Sequence, residues 1–187
     1  MIKRLAAPPI GSLLNAQLTD KKIHHQDTFT YIISTPNFAG MSASHVLTHL
    51  LDSFLAQPPK GVTKLMKFRN AVVKPLGLRT SELGCPVSSL ISKESSTLFY
   101  KRFPVLDQKI DADDTHAQVI LGADDKHLVF RSCVAVERLG DASYLLSLGT
   151  KVHCLNRFGR FYMAAIDSVH QRYVSPKMLK SAGDLLL

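Results

Sequence analysis

Between positions 127 and 173 hydrophobic alternation of period two gives way, at Asn156, to a helical period, and this switch limits the folds open to the chain. Side chains on a strand alternate between two faces, so apolar residues at every second position mark a sheet covered on one side. Leu128, Phe130, Val134 and Val136 alternate with His127, Arg131, Cys133 and Glu137. After a turn at Gly140 and Asp141, Tyr144, Leu146, Leu148, Thr150 and Val152 alternate with Leu145, Ser147, Lys151 and His153. Phe158, Phe161, Ala165, Val169 and Tyr173 then recur at helical spacing, joined by Tyr162 and Ile166. The spacing predicts one long amphipathic helix with that stripe as its apolar face, kinked or ended near Val174 by Pro176.

Shorter patterns lie upstream. Residues 28–34 are aromatic and β-branched and read as a first strand. A helix capped by Ser42 or Ser44 runs to about 55, carrying Val46, Leu47, Leu50, Leu51 and Phe54 at helical spacing before Pro58 and Pro59. A second helix is expected over 61–74, a loop over 79–96, and strands over 98–103, 105–110 and 117–121, with a hairpin turn at 122–126. Residues 1–26, with two prolines and the polar run 20–27, read as an irregular N-terminal arm, and 27–187 as a single domain without repeats or linkers. Strand, two helices, five or six mostly antiparallel strands and a long helix make an α+β arrangement.

At 187 residues the chain can bury a sizeable core without metal or disulfide support. Its 45% apolar content excludes a disordered or fibrous class. The formal charge of +8 attracts acidic partners at long range but names none. Cys85, Cys133 and Cys154 are odd in number and lack C-x-x-C spacing, so neither a disulfide framework nor a zinc cluster is expected. A hairpin turning at Gly140 and Asp141 would set Cys133 opposite about Leu148 and Cys154 opposite about His127, too far apart to bridge. Met1 to Arg4 followed by apolar residues faintly resembles a signal peptide, but Pro8, Pro9 and Gly11 interrupt it, and nothing approaches the length of a membrane span. The expectation is a soluble, cytoplasmic protein.

Three blocks carry a closer likeness: LMKFRNAVVKPLGLRT at 65–80, LGADDKHLVFRSCV at 121–134 and VHCLNRFGRFYM at 152–163. They resemble the recurring blocks of the bacterial domain-of-unknown-function family 2867, in this order, over roughly 29–179. The order of elements also resembles the helix-grip superfamily of START-like and Bet v 1-like (SRPBCC) domains. That resemblance implies a curved antiparallel sheet wrapped around a long C-terminal helix, with a cavity between them. Members of family 2867 also occur fused behind NAD-binding, epimerase-like domains, yet this chain has no G-x-G-x-x-G after a strand. No catalytic residue, cofactor or metal follows from the resemblance.

Two constellations are candidate sites. Arg131, His153, Tyr162 and His170 are polar groups that strand alternation and helix phase can turn toward the space between sheet and helix, where an apolar or amphipathic ligand would lie. Asn156, Arg157 and Arg160 stand where the last strand enters the helix. They form either an anion site at the helix start or a cap with ion pairs to Asp124 or Asp125. Asp113 with Asp114 and Asp124 with Asp125 fall in turns, where aspartate bonds locally. His45 and His49 have i, i+4 spacing but no third metal ligand. The run 60–79 holds six Lys or Arg and no acid, and Lys60, Lys64, Lys67 and Lys74 share one helical face. It is either a solvated face or a surface for an acidic partner, with no nucleic-acid motif beside it. The expected function is therefore binding of a small apolar or amphipathic molecule. The alternatives are a cyclase, isomerase or hydrolase using the same cavity with His153 or His170 as general base, an accessory to an NAD-dependent oxidoreductase, and an interaction module acting through 60–79.

Overall fold

A computed structural model describes residues 1–56, 61 and 97–187. Six strands form one curved, wholly antiparallel sheet: β1 (Lys3–Arg4), β2 (His25–Ser34), β5 (Asp107–Ile110), β6 (His116–Asp124), β7 (Leu128–Arg138) and β8 (Ser143–Cys154), in the order β1-β2-β8-β7-β6-β5. A separate two-strand turn is made by β3 (Leu98–Phe99) and β4 (Phe103–Pro104). Among the described residues the α-helices with defined bounds are α1 (Ala43–Ala56), α2 (Arg157–Val169) and α3 (Ser175–Asp184), and α2 passes into α3 through a π turn, His170–Val174. The expected helix over 61–74, the loop over 79–96, the basic run and the first family block lie outside the described residues, Gly61 apart.

Alternation sorts the sheet into two faces. Phe29, Tyr31 and Ile33 of β2, Val119 and Leu121 of β6, Val134 and Val136 of β7, and Tyr144, Leu146 and Leu148 of β8 all enter one core beneath α1 and α3. Helix α1 lies over β6 and β7, and α3 lies over β2 and β8 and against α1. The buried Tyr144 hydroxyl is 2.7 and 2.8 Å from the carbonyl oxygens of Phe38 and Met41, which fastens β8 to the link between β2 and α1. Ser42 caps α1 weakly, accepting from His45 N at 3.4 Å. Asp114 does more, since its carboxylate accepts from the backbone N–H of Ser44 at 2.8 Å and from its hydroxyl at 2.5 Å.

The N-terminal arm is irregular over most of its length but is attached to the sheet at two places. Its β1 pairs with β2, and a 3-10 turn (Leu13–Ala16) inserts Leu14 against Ile120, Cys133 and Ala135 on the face opposite the helices. The buried Gln118 amide pins this turn, accepting from Leu13 N–H at 2.8 Å and donating to the Gly11 carbonyl at 3.1 Å.

Three details differ from the sequence reading. Cys133 is opposite Gly149, and Leu128 is opposite Cys154, one place from the expected register. Leu139 N–H bonds the Ser143 carbonyl, so three residues turn the hairpin rather than two. The expected pairing of Cys133 with Leu148 would have matched an outward residue with an inward one, which the pleat forbids. At Pro176 the chain does not leave the helix: α2 gives way to a π turn that ends at Val174, and Pro176 sits in the first turn of α3. Finally, the row Phe158, Phe161, Ala165, Val169 and Tyr173 is not the buried face: Phe161 is 77% exposed, and α2 instead buries Gly159 and Met163, with Tyr162 and Ile166 partly covered.

The buried face of α2 is chosen by a close approach. A Cβ on Gly159 would sit 2.1 Å from the His127 carbonyl oxygen and 3.4 Å from Cys154 Cβ, so only glycine lets the helix start press on β7. Elsewhere in a helix alanine gains about 1 kcal/mol over glycine. Here Gly159→Ala is expected to destabilise by about 1–3 kcal/mol in urea melts, because a backbone atom must move. Gly140→Ala, with nothing within 4 Å of its added carbon, should stay within about 0.5 kcal/mol.

Candidate functional site

The four residues expected around a ligand do not meet. Phe130 and Val152 pack under α2, so their neighbours Arg131 and His153 point to the opposite face of the sheet. There Arg131 donates to Asp124 Oδ1 at 2.6 Å, and His153 Nδ1 is 2.7 Å from the Lys22 carbonyl oxygen, with its ring beside His24. Tyr162 and His170 are on the helix side, Tyr162 beside His127 and Phe158, and His170 over β2. Alternation divides the set two and two. Asn156 is the cap of α2, accepting from Gly159 N–H at 2.8 Å, and Arg157 and Arg160 are exposed. The acids expected to pair with them are engaged elsewhere, Asp124 with Arg131 and Asp125 beside His127.

The interval between sheet and C-terminal helices is packed where α3 crosses β2. Leu146, Leu179 and Ala182 are buried there, and a Cβ on Gly183 would fall 2.6 Å from the Tyr31 ring. Open space lies on the other face, where a groove of about 720 Å³ runs between the arm and the outward residues of β2, β8 and β7. Thr30, Ser147 and Ala135, cross-strand neighbours, form its floor, and Ile2, Leu5 and Ile10 its apolar wall. Asp111, His116, Glu137 and Arg138 gather at one end. None of the four expected ligand residues lines it.

On the helix side, polar groups converge on Asp27, whose side chain is fully buried. Its Oδ2 accepts from Ser175 Oγ at 2.8 Å and lies 3.1 Å from His170 Nδ1 and 3.4 Å from His25 Nε2. His25 Nδ1 contacts Asp167, which in turn accepts from Gln171 Nε2 at 3.0 Å; Arg4 closes the chain by donating to Gln171. His25 Nε2 and Asp27 Oδ1 are buried without a hydrogen-bond partner. The π turn makes this convergence possible. Residues five apart in an α-helix are rotated by about 140°, whereas the Ser175 N–H bonds the His170 carbonyl five residues back and stacks the two side chains over Asp27. Sequence reading placed His25 and Asp27 in the polar run of the arm. Their parity with Phe29, Tyr31 and Ile33 was the available signal that both face inward.

Burial alone would raise the Asp27 carboxyl, but the hydrogen bond from His170 and the charge of the neighbouring His25 imidazole hold it well below the usual carboxylate range. Burial likewise favours neutral His25, and the carboxylates of Asp27 and Asp167 outweigh it and hold the imidazole above its ordinary value. The raised imidazole contributes stability that is complete below about pH 6.5 and lost as pH rises through its folded value. The depressed carboxyl contributes above about pH 4 and is lost in acid. In a chelating buffer, where protons are the only cations in competition, melting temperature should therefore plateau between these limits and fall on either side. Asp27→Asn should flatten the profile and lower the plateau.

A family model for proteins of unknown function, DUF2867, matches residues 22–177. No curated protein and no solved structure matches. Among the described residues no helix is long and apolar enough to cross a membrane. The match begins just before β2, ends inside α3, and so takes in the Asp27 cluster apart from Arg4 and all of the sheet except β1. The chain belongs to the DUF2867 family.

Proposed function

We propose that this chain is a helix-grip domain that binds a small apolar or amphipathic molecule, and that the ligand lies in the groove between the N-terminal arm and the outward face of the sheet. The observation that carries this reading is the groove itself, whose volume of about 720 Å³ falls in the range that encloses small molecules. An apolar wall with charged groups at one end suits an amphipathic ligand, with its polar head beside Glu137 and Arg138. The helix-grip assignment is supported by β2, the first long strand, pairing with β8, the last, and by α1 and α3 sharing one face. Buried free thiols at Cys133 and Cys154 support a reducing, cytoplasmic setting. Neither His153 nor His170, the general bases expected from the sequence, lines the groove.

Ser147 is the test position, because it faces Thr30 and Ala135 across the floor and is half-buried. Titration with anilinonaphthalene sulfonate, an apolar ring system with an anionic head, should show one saturable site per chain. Ser147→Phe, which fills the floor, should weaken it at least about tenfold, a loss of about 1.4 kcal/mol, with an unchanged melting temperature. Absence of saturable binding, or equal binding by a folded Ser147→Phe variant, overturns the assignment of the groove.

A further inference from the structure

The Asp27 cluster carries more than is needed to pin a helix joint. A purely structural clamp would satisfy its polar atoms, since an unpaired buried donor or acceptor costs about 1–3 kcal/mol. Here two such atoms, His25 Nε2 and Asp27 Oδ1, remain without partners inside one cluster, on side chains fully shielded from solvent. We propose that His25, Asp27 and His170 form a binding site for a divalent transition-metal ion of the zinc class, with the Ser175 hydroxyl or a water completing the set.

Geometry, donor type and support agree on this. Four ligands about 2.1 Å from a tetrahedral centre stand about 3.4 Å from one another. Asp27 Oδ2 is 3.4 Å from His25 Nε2 and 3.1 Å from His170 Nδ1, and Ser175 Oγ is 3.1 Å from His170 Nδ1. The ligand atoms of the three residues lie within 4.8 Å of one another. Two imidazoles and one carboxylate favour zinc-class ions over calcium or magnesium, which take oxygen ligands. The His25 ring is also oriented as metal-bound histidines are: its Nδ1 contacts Asp167, which leaves Nε2 facing Asp27. Asp167 is held by Gln171, so the support extends a further shell. His170 is 29% exposed in its side chain and gives an ion a route in from solvent. The two charges of the cation are balanced by Asp27 and, through the His25 ring, by Asp167, so no uncompensated charge is left at the site.

The site would fasten β2 to the π turn. The full chain, stripped with a chelator and dialysed, is titrated with Co2+ as a spectroscopic stand-in and with Zn2+ by calorimetry. The expected result is one ion per chain, visible Co2+ bands of a low-coordinate site that Zn2+ abolishes, and a melting temperature that rises with Zn2+. His170→Ala and Asp167→Asn both alter partly exposed side chains, so the fold is retained, as circular dichroism would verify. His170→Ala should weaken Co2+ binding at least about 100-fold, and Asp167→Asn, a positioning change, about 10–100-fold. His153→Ala, beside His24 on the other face, should leave it unchanged. Failure of the wild-type chain to bind one Co2+, or binding unaltered by both His170→Ala and Asp167→Asn, overturns the proposal. Loss of binding with His153→Ala moves the ion to the His24 and His153 pair and overturns it equally.

Discussion

Antiparallel pairing of β2 with β8, from His25 against Val152 to Ser34 against Ser143, sets the first long strand beside the last, and the polar cluster exists only because of it. Closing so long a loop is entropically costly, and the return comes from the apolar cross-strand pairs Phe29 with Leu148, Tyr31 with Leu146 and Ile33 with Tyr144. Helices α2 and α3 follow β8 directly, so the same pairing carries His170 and Ser175 back over the start of β2. The inward parity of β2 then places His25 and Asp27 in line with its apolar residues, at the end where the core becomes polar.

The sheet was legible because its signal is local. Alternation gave β2, β7 and β8 to within a few residues, and Gly140 with Asp141 marked their hairpin. What escaped depends on partners far along the chain. Which stripe of α2 is buried is decided by Gly159 approaching the His127 carbonyl, a contact that no helical period encodes. The register of β7 and β8 rests on a single added turn residue. His25 and Asp27 looked like arm residues because their polarity is explained only by Asp167, His170 and Ser175, more than a hundred positions later. Arg131 and His153 were grouped with Tyr162 and His170 by chemistry, although the alternation already visible around them assigned them to the other face.

The two faces divide the labour between packing and space. Small residues on α3, Ala182 and Gly183, let it settle on Tyr31 and Leu146 without a gap, so the helix side holds the stability of the domain. On the outward face the covering element is an arm attached at two places, β1 on β2 and the Leu13–Ala16 turn under Gln118. A cover held at its ends leaves the middle of the sheet open, and there β8 and β7 present Ser147 and Ala135, small residues that leave a groove. Gly149 contributes in the opposite sense: its missing side chain is what admits Leu14, which a Cβ there would approach at 2.9 Å.

Pro176 links the backbone to the cluster. An α-helix continued through this point would need a hydrogen bond from residue 176 to the carbonyl four places back, which proline cannot give, and its ring would crowd that carbonyl. Lengthening the preceding turn to π spacing relieves both demands, and it rotates Ser175 into line with His170. The proline that looked like a stop is thus accommodated in a conformation that aims two polar side chains at Asp27. Because Asp27 binds both of them, the carboxylate in turn stabilises the π turn. Strand, carboxylate and helix irregularity therefore support one another, and a cation held among His25, Asp27 and His170 would tighten the same three elements together.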